Sequence, residues 1–201
     1  MKPSSPVPRG TRGTSRISSG ADKVTTTQNA IVAASFVEDH LQRLIQSRMV
    51  SDKKVLEQMF GPNSALGSFS AKINLGFLMG IYSKNAWREL DTIRTIRNDF
   101  AHELAINSFD ILSVRDRCAH LTLWQTRKIT IRAADDLPPP KKLVVEMGQT
   151  VGPEAQELVL ELITDLDTDS PHGRYVAACR FFIAAFSLLV NMGGAPKAAE
   201  L

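Results

Sequence analysis

A chain of 201 residues with 43% hydrophobic, 22% charged and 6% aromatic side chains has enough apolar material to bury a core, which excludes a fibrous or wholly disordered protein. The formal charge of +3 would suit a nucleic-acid surface, but the surplus is local. Lys2, Arg9, Arg12, Arg16 and Lys23 are opposed only by Asp22 within residues 1–24, which leaves residues 25–201 at −1.

Residues 1–24 are rich in Ser, Thr, Pro and Gly and contain no apolar run, so burial cannot offset the entropy of ordering them. They are expected to form a disordered basic tail rather than a secretory leader, with Arg9, Arg12 and Arg16 as the cations through which it could touch phosphates. Residues 25–201 are expected to form a single helical domain. From Thr27 to Met49, Ile31, Ala34, Val37, Leu41, Leu44 and Ile45 recur at helical spacing, and a short helix is predicted over Lys53–Phe60, stopped by Gly61 and Pro62. After a Gly- and Pro-containing loop, a third helix is predicted over Ser70–Ile81.

Ser83 is placed to cap a long helix from Lys84 to about Leu104, whose apolar stripe includes Trp87, Leu90, Ile93, Ile96, Phe100, Ala101 and Leu104. Leu112–Trp124 reads as a further helix. Thr126–Arg132 alternates Ile129 and Ile131 with polar neighbours, as a short strand does, and the prolines of Leu137–Pro140 require an extended chain. Glu154–Leu166 fits a helix, although its Leu-Val-Leu-Glu-Leu-Ile run also suits a strand. The last helix has Ser170 as its cap, Pro171 just inside and Gly193–Gly194 at its end. The apolar stretch from Phe181 is shorter than the roughly 20 residues of a membrane span, so this helix is expected at the centre of the bundle or in a dimer interface. The fold class predicted is therefore all-α: a compact helical bundle with a short strand or extended segment within 126–147.

Chemistry concentrates in one segment, Arg97-Asn98-Asp99-Phe100-Ala101-His102. On a helical wheel Arg97 falls about 20° from Leu90 and Leu104, so it is expected along the buried stripe. A buried guanidinium needs a partner, and Glu38 at the edge of the first helix is the expected one, with Asp39 the alternative if that helix is rotated. Asp91, Asn98 and His102 form a polar strip beside the stripe. Such a strip suits two roles. As chemistry, His102 takes a proton from a ribose hydroxyl while Arg97 stabilises charge developing on phosphate. As architecture, Arg97 ties two helices together.

Other site types lack their motifs. Cys118 and Cys179 form no CxxC pair and read as reduced thiols of a cytoplasmic protein, while His40, His120 and His172 stand singly without metal-ligand spacing. No phosphate loop, dinucleotide fingerprint or nucleophile elbow occurs, so neither a cofactor nor a metal is expected. No segment fits a helix-turn-helix either.

The stretch FGPNSALGSFSAKINLGFLMGIYSKNAWRELDTIRTIRNDFAH, followed by FDILSVRDRCAHL and LPPP, resembles the mannitol operon repressor (MltR-like) family over about residues 28–145. That resemblance implies an oligomeric, cytoplasmic helical transcriptional regulator, here expected to act mainly through protein contacts. The Arg97-x4-His102 segment is also similar to the motif of HEPN domains. In ribonuclease members of that superfamily, arginine and histidine from two protomers meet across a dimer and cut RNA without metal. On that pattern Arg97, Asn98 and His102 would be the catalytic residues, whereas in non-catalytic members the same fold serves as a binding module. A homodimer or higher oligomer follows from either resemblance, and a membrane partner from neither.

Overall fold

The computed structural model describes residues 20–103, 105–126, 128–133, 143–147, 156–159 and 167–192. Among these the chain is a helical bundle: α1 (Gly20–Gln46), α2 (Lys53–Phe60), α3 (Phe69–Leu78), α4 (Lys84–His102), α5 (Leu112–Ala119), α6 (Leu123–Thr126) and α7 (Pro171–Met192). Three strands, β1 (Lys128–Ala133), β2 (Leu143–Met147) and β3 (Gln156–Val159), lie between α6 and α7 in chain order.

The helix boundaries follow local chemistry. Asp52, Ser68 and Ser83 each stand in extended backbone and accept a backbone N–H three residues on, at Val55, Ala71 and Ala86, so that α2, α3 and α4 start on side-chain caps. Ser170 does the same for α7 through Gly173 N–H at 3.0 Å. Gly80 ends α3 with φ +69°, a conformation that costs glycine little and other residues about 1 kcal/mol or more.

α1 and α7 form the central pair. α1 turns Ala30, Ala34, Val37, Leu41, Leu44 and Ile45 inward, and α7 buries Tyr175, Phe181, Phe182, Ala185, Phe186 and Leu189. α3 and α4 pack on α1 and on each other, while α5 and α6 pack on α7. Full burial of each large apolar side chain contributes about 1.5–3 kcal/mol of transfer free energy. Two polar contacts fix how α7 lies along α1: Tyr175 Oη donates to Ala30 O at 2.9 Å, and Arg48 Nη2 donates to Leu189 O at 3.0 Å. By length and hydropathy α7 would be able to cross a membrane, but it is the packed core helix of this bundle. Phe109 anchors the α4–α5 connection, with its ring 4.7 Å from Phe100, 5.2 Å from Tyr175 and 5.0 Å from His172.

The strands pair antiparallel in the order β2-β1-β3, with Thr130 opposite both Glu146 and Glu157. The strand expected from the alternation at Ile129 and Ile131 is present.

Four expectations need correction. α1 starts at Gly20, inside the segment 1–24 assigned to the tail; residues 1–19 lie outside the described chain. α3 runs from Phe69 to Leu78, because Ser68 caps it earlier than the apolar pattern implied. The helix expected over Leu112–Trp124 ends at Ala119, and α6 starts anew at Leu123, because the N–H groups of Thr122 and Leu123 bond to the Glu89 carboxylate. Within Glu154–Leu166 the described residues 156–159 are strand, as their β-favouring run allowed, not helix. Leu137–Pro140 and Gly193–Gly194 lie outside the described residues.

Candidate functional site

The last two turns of α4 carry the segment singled out in the sequence. The core-facing arc of this helix holds Ala86, Glu89, Leu90, Ile93, Ile96 and Phe100. Arg97 stands at the margin of that arc and is half-buried, while Ala101 is exposed. The stripe is therefore rotated from the one expected with Trp87 and Ala101 inside, and Arg97 stands at its rim rather than in the core.

There Arg97 opens onto a cleft of about 280 Å³ between Glu38 of α1, the Gly67–Ser70 turn that starts α3, and Arg94 and Asn98 of α4. Arg97 Nη1 donates to Asn98 Oδ1 at 3.0 Å. The other charges in the cleft are already matched. Arg94 Nε donates to Asp91 Oδ1 at 2.8 Å, and Glu38 Oε1 receives Lys72 Nζ at 2.7 Å. Arg97 has no ion pair among the described residues and is the uncompensated positive charge of the cleft.

The ion pair expected between Arg97 and Glu38 is thus not formed, although both residues line the same cleft. Lys72, nearly buried on α3, lies closer to the carboxylate and would itself be an unpaired buried cation without it. Asp39, the alternative partner, faces outward and pairs with Arg43 at 2.8 Å.

His102 occupies the last turn of α4 and is exposed; it does not line the cleft that holds Arg97 and Asn98. It sits one turn beyond Asn98, about 6 Å further along the helix axis. Between these residues, Asp99 Oδ2 accepts from Arg117 Nη1 at 2.6 Å and joins α4 to α5. The segment therefore divides its labour: Arg97 and Asn98 face the cleft, Asp99 holds a neighbouring helix, Phe100 is core, and His102 faces solvent.

Sequence reasoning missed Lys72 and Arg94 as members of this site. Nothing in the apolar spacing of α3 marks a lysine as buried, whereas Ser68 as a cap followed by Phe69 is a readable signal for the turn that forms the cleft wall.

The remaining histidines play local parts. His40 Nδ1 bonds to Phe36 O and His120 Nδ1 to Asp116 O, both at 2.8 Å, and the His172 ring packs tilted against Phe109. Cys118 and Cys179 are free and buried, and burial pushes the Cys118 thiol up to about 12. No group of metal-ligating side chains occurs among the described residues. Comparison of the chain with protein-family models, curated proteins and solved structures finds no match.

Proposed function

We propose that the protein is a helical regulator of the mannitol operon repressor type, working in the cytoplasm as a homodimer or higher oligomer and acting through contacts with other proteins. The observation that supports the protein-contact part of this reading is the pair Val32 and Phe36, one turn apart on α1 and 52% and 55% exposed. Two large apolar side chains presented together on a long helix are a recurring feature of surfaces that dock a partner. The test is genetic. Deleting the gene should raise transcripts of an adjacent carbohydrate operon, and the wild-type chain should restore repression where Phe36→Asp does not. Equal repression by Phe36→Asp would remove the support for protein contacts, and sequence-specific, salt-dependent operator binding by the purified chain would replace that route with direct DNA contact.

A second reading, a HEPN-type ribonuclease or a non-catalytic HEPN-like binding module, is favoured by the guanidinium of Arg97, which no carboxylate neutralises among the described residues. Because His102 lies outside the Arg97 cleft, catalysis on this reading requires His102 of one protomer to meet Arg97 of another. RNA cleavage by the wild type that disappears in both Arg97→Ala and His102→Ala would establish the enzyme. Binding without cleavage would establish the module.

A further inference from the structure

The cleft that holds Arg97 is lined mostly by polar side chains: besides Arg97 these are Glu38 of α1, Ser68 and Ser70 at the start of α3, and Arg94 and Asn98 of α4. Phe69, its one large apolar member, is buried in the core. Such a lining suits a polar ligand, and the volume of about 280 Å³ suits a small one.

Charge and hydrogen bonding both select the sign of that ligand. Glu38 is matched by Lys72 and Arg94 by Asp91, so Arg97 leaves the cleft with a positive charge in excess among the described residues. Donors also outnumber acceptors. Asn98 Oδ1 is taken by Arg97 Nη1, which leaves the amide nitrogen Nδ2 as the end without a partner among the described residues. The Ser70 hydroxyl has no partner among them either, whereas Ser68 Oγ is occupied as the cap of Ala71 N–H at 3.1 Å. The acceptor that remains is Glu38 Oε2, since Lys72 holds Oε1. Arg97, Asn98 and Ser70 are all partly exposed, so a ligand in the cleft can reach them. The start of α3, which forms one wall, favours negative charge in the same direction.

We propose that this cleft binds the phosphoryl group of a small phosphate monoester, with Arg97, Asn98 Nδ2 and the Ser70 hydroxyl donating to its oxygens. Three donor groups match the three terminal oxygens of a phosphoryl group, whereas a carboxylate offers two. Glu38 Oε2 then accepts from a hydroxyl of the same molecule, which makes a phosphate ester of a hydroxylated compound a better fit than inorganic phosphate. Phosphorylated sugars and nucleotides share this chemistry. The inference uses the arginine of the ribonuclease reading but rests on neither reading of function, because it requires neither His102 nor a second protomer.

Binding is tested with the full chain by calorimetry and phosphorus NMR against glycerol phosphate, glucose phosphate and adenosine monophosphate, with inorganic phosphate, acetate, glycerol, glucose and a short single-stranded RNA as comparators. The expected result is saturable binding of at least one monoester with a dissociation constant below about 1 mM, tighter than that of inorganic phosphate, and none of acetate or the unphosphorylated compounds. The tightest monoester tells a sugar source from a nucleotide source. Arg97→Gln should weaken binding by about tenfold or more and Ser70→Ala by about threefold or more, with wild-type circular dichroism spectra. Arg115→Gln removes the same charge from an exposed position on α5 outside the cleft and should leave binding within about twofold. No monoester bound up to about 10 mM, acetate bound equally well, affinity unchanged in Arg97→Gln, or RNA bound where no monoester is would each overturn the proposal. The ribonuclease reading is decided separately, by cleavage.

Discussion

Lys72 holds the carboxylate that the sequence had offered to Arg97: its Nζ lies 2.7 Å from Glu38 Oε1, with the lysine side chain 6% exposed and the glutamate 23%. The pair joins α3 to α1, and its glutamate lines the Arg97 cleft. Removing one partner strands the other in a poorly solvated place, which costs more than the pair itself is worth. Lys72→Met and Glu38→Gln should each lower unfolding free energy by about 3 kcal/mol, and the double variant should lose clearly less than their sum. Urea denaturation of the four chains measures the coupling. Additive losses would mean that the two side chains act independently.

Within the RNDFAH segment the structural and solvent-facing roles separate residue by residue. Asp99 is paired with Arg117 across two helices, whereas among the described residues Arg97 bonds only to the neighbouring Asn98 side chain. Asp99→Ala should therefore destabilise the fold by about 1–3 kcal/mol, while Arg97→Gln should change stability by less than about 1 kcal/mol. Chemical denaturation checks both. A large loss in Arg97→Gln would make the arginine a structural tie after all.

Periodicity located the cores of α1, α4 and α7 because each has enough apolar residues to define a face, and caps such as Ser83 and Ser170 placed their starts. The same method misjudged the rotation of α4. The apolar pattern places Trp87 inward, but its indole donates to Asn74 Oδ1 at 2.9 Å and it is only partly buried, while Glu89 lies inside the arc that hydropathy reserves for apolar side chains. A glutamate enters such an arc when backbone N–H groups from a distant segment wait for it, here Thr122 and Leu123, and that long-range pairing leaves no mark in local spacing. The competition between Lys72 and Arg97 for Glu38 was hidden for the same reason. The chemistry of the candidate site was legible as residue types, and its partners were not.

Glu89 also predicts a pH dependence. Burial raises its carboxyl above the ordinary value of 4.5, and the bonds from Thr122 and Leu123 offset this only in part. The folded chain therefore holds the proton more tightly than the unfolded chain. The stabilisation from this group is complete below the unfolded value and is lost as pH rises through the higher folded value. Arg88 and His120 are the other charged or titratable groups lining the open space beside Glu89, between α4 and the Thr122 segment. Urea midpoints recorded between about pH 4 and pH 8 should show a smaller decline, or a larger rise, in Glu89→Gln than in the wild type. Parallel profiles would show that the Glu89 charge carries no folding penalty.

A close approach between α3 and the Tyr82 ring gives the last prediction. Gly76 lies inside α3, where alanine is ordinarily favoured over glycine by about 1 kcal/mol. A β-carbon placed there would stand 2.6 Å from Tyr82 Oη and 2.9 Å from two of its ring carbons. Tyr82 is buried and cannot simply swing aside, because its hydroxyl donates to Ile73 O at 2.7 Å and its ring packs 6.1 Å from Phe186. Gly76→Ala should therefore destabilise the protein by about 2 kcal/mol in spite of its better helix propensity, since moving the ring costs packing and pulls the buried Tyr82 hydroxyl away from Ile73 O. Tyr82→Phe would relieve only the hydroxyl part of the clash. In a Tyr82→Ala background, already weakened by the lost ring, Gly76→Ala should become neutral or stabilising. The sign reversal is read from a double-mutant cycle in urea, and the same destabilisation in both backgrounds would mean that the glycine is required for a reason other than the approach of Tyr82.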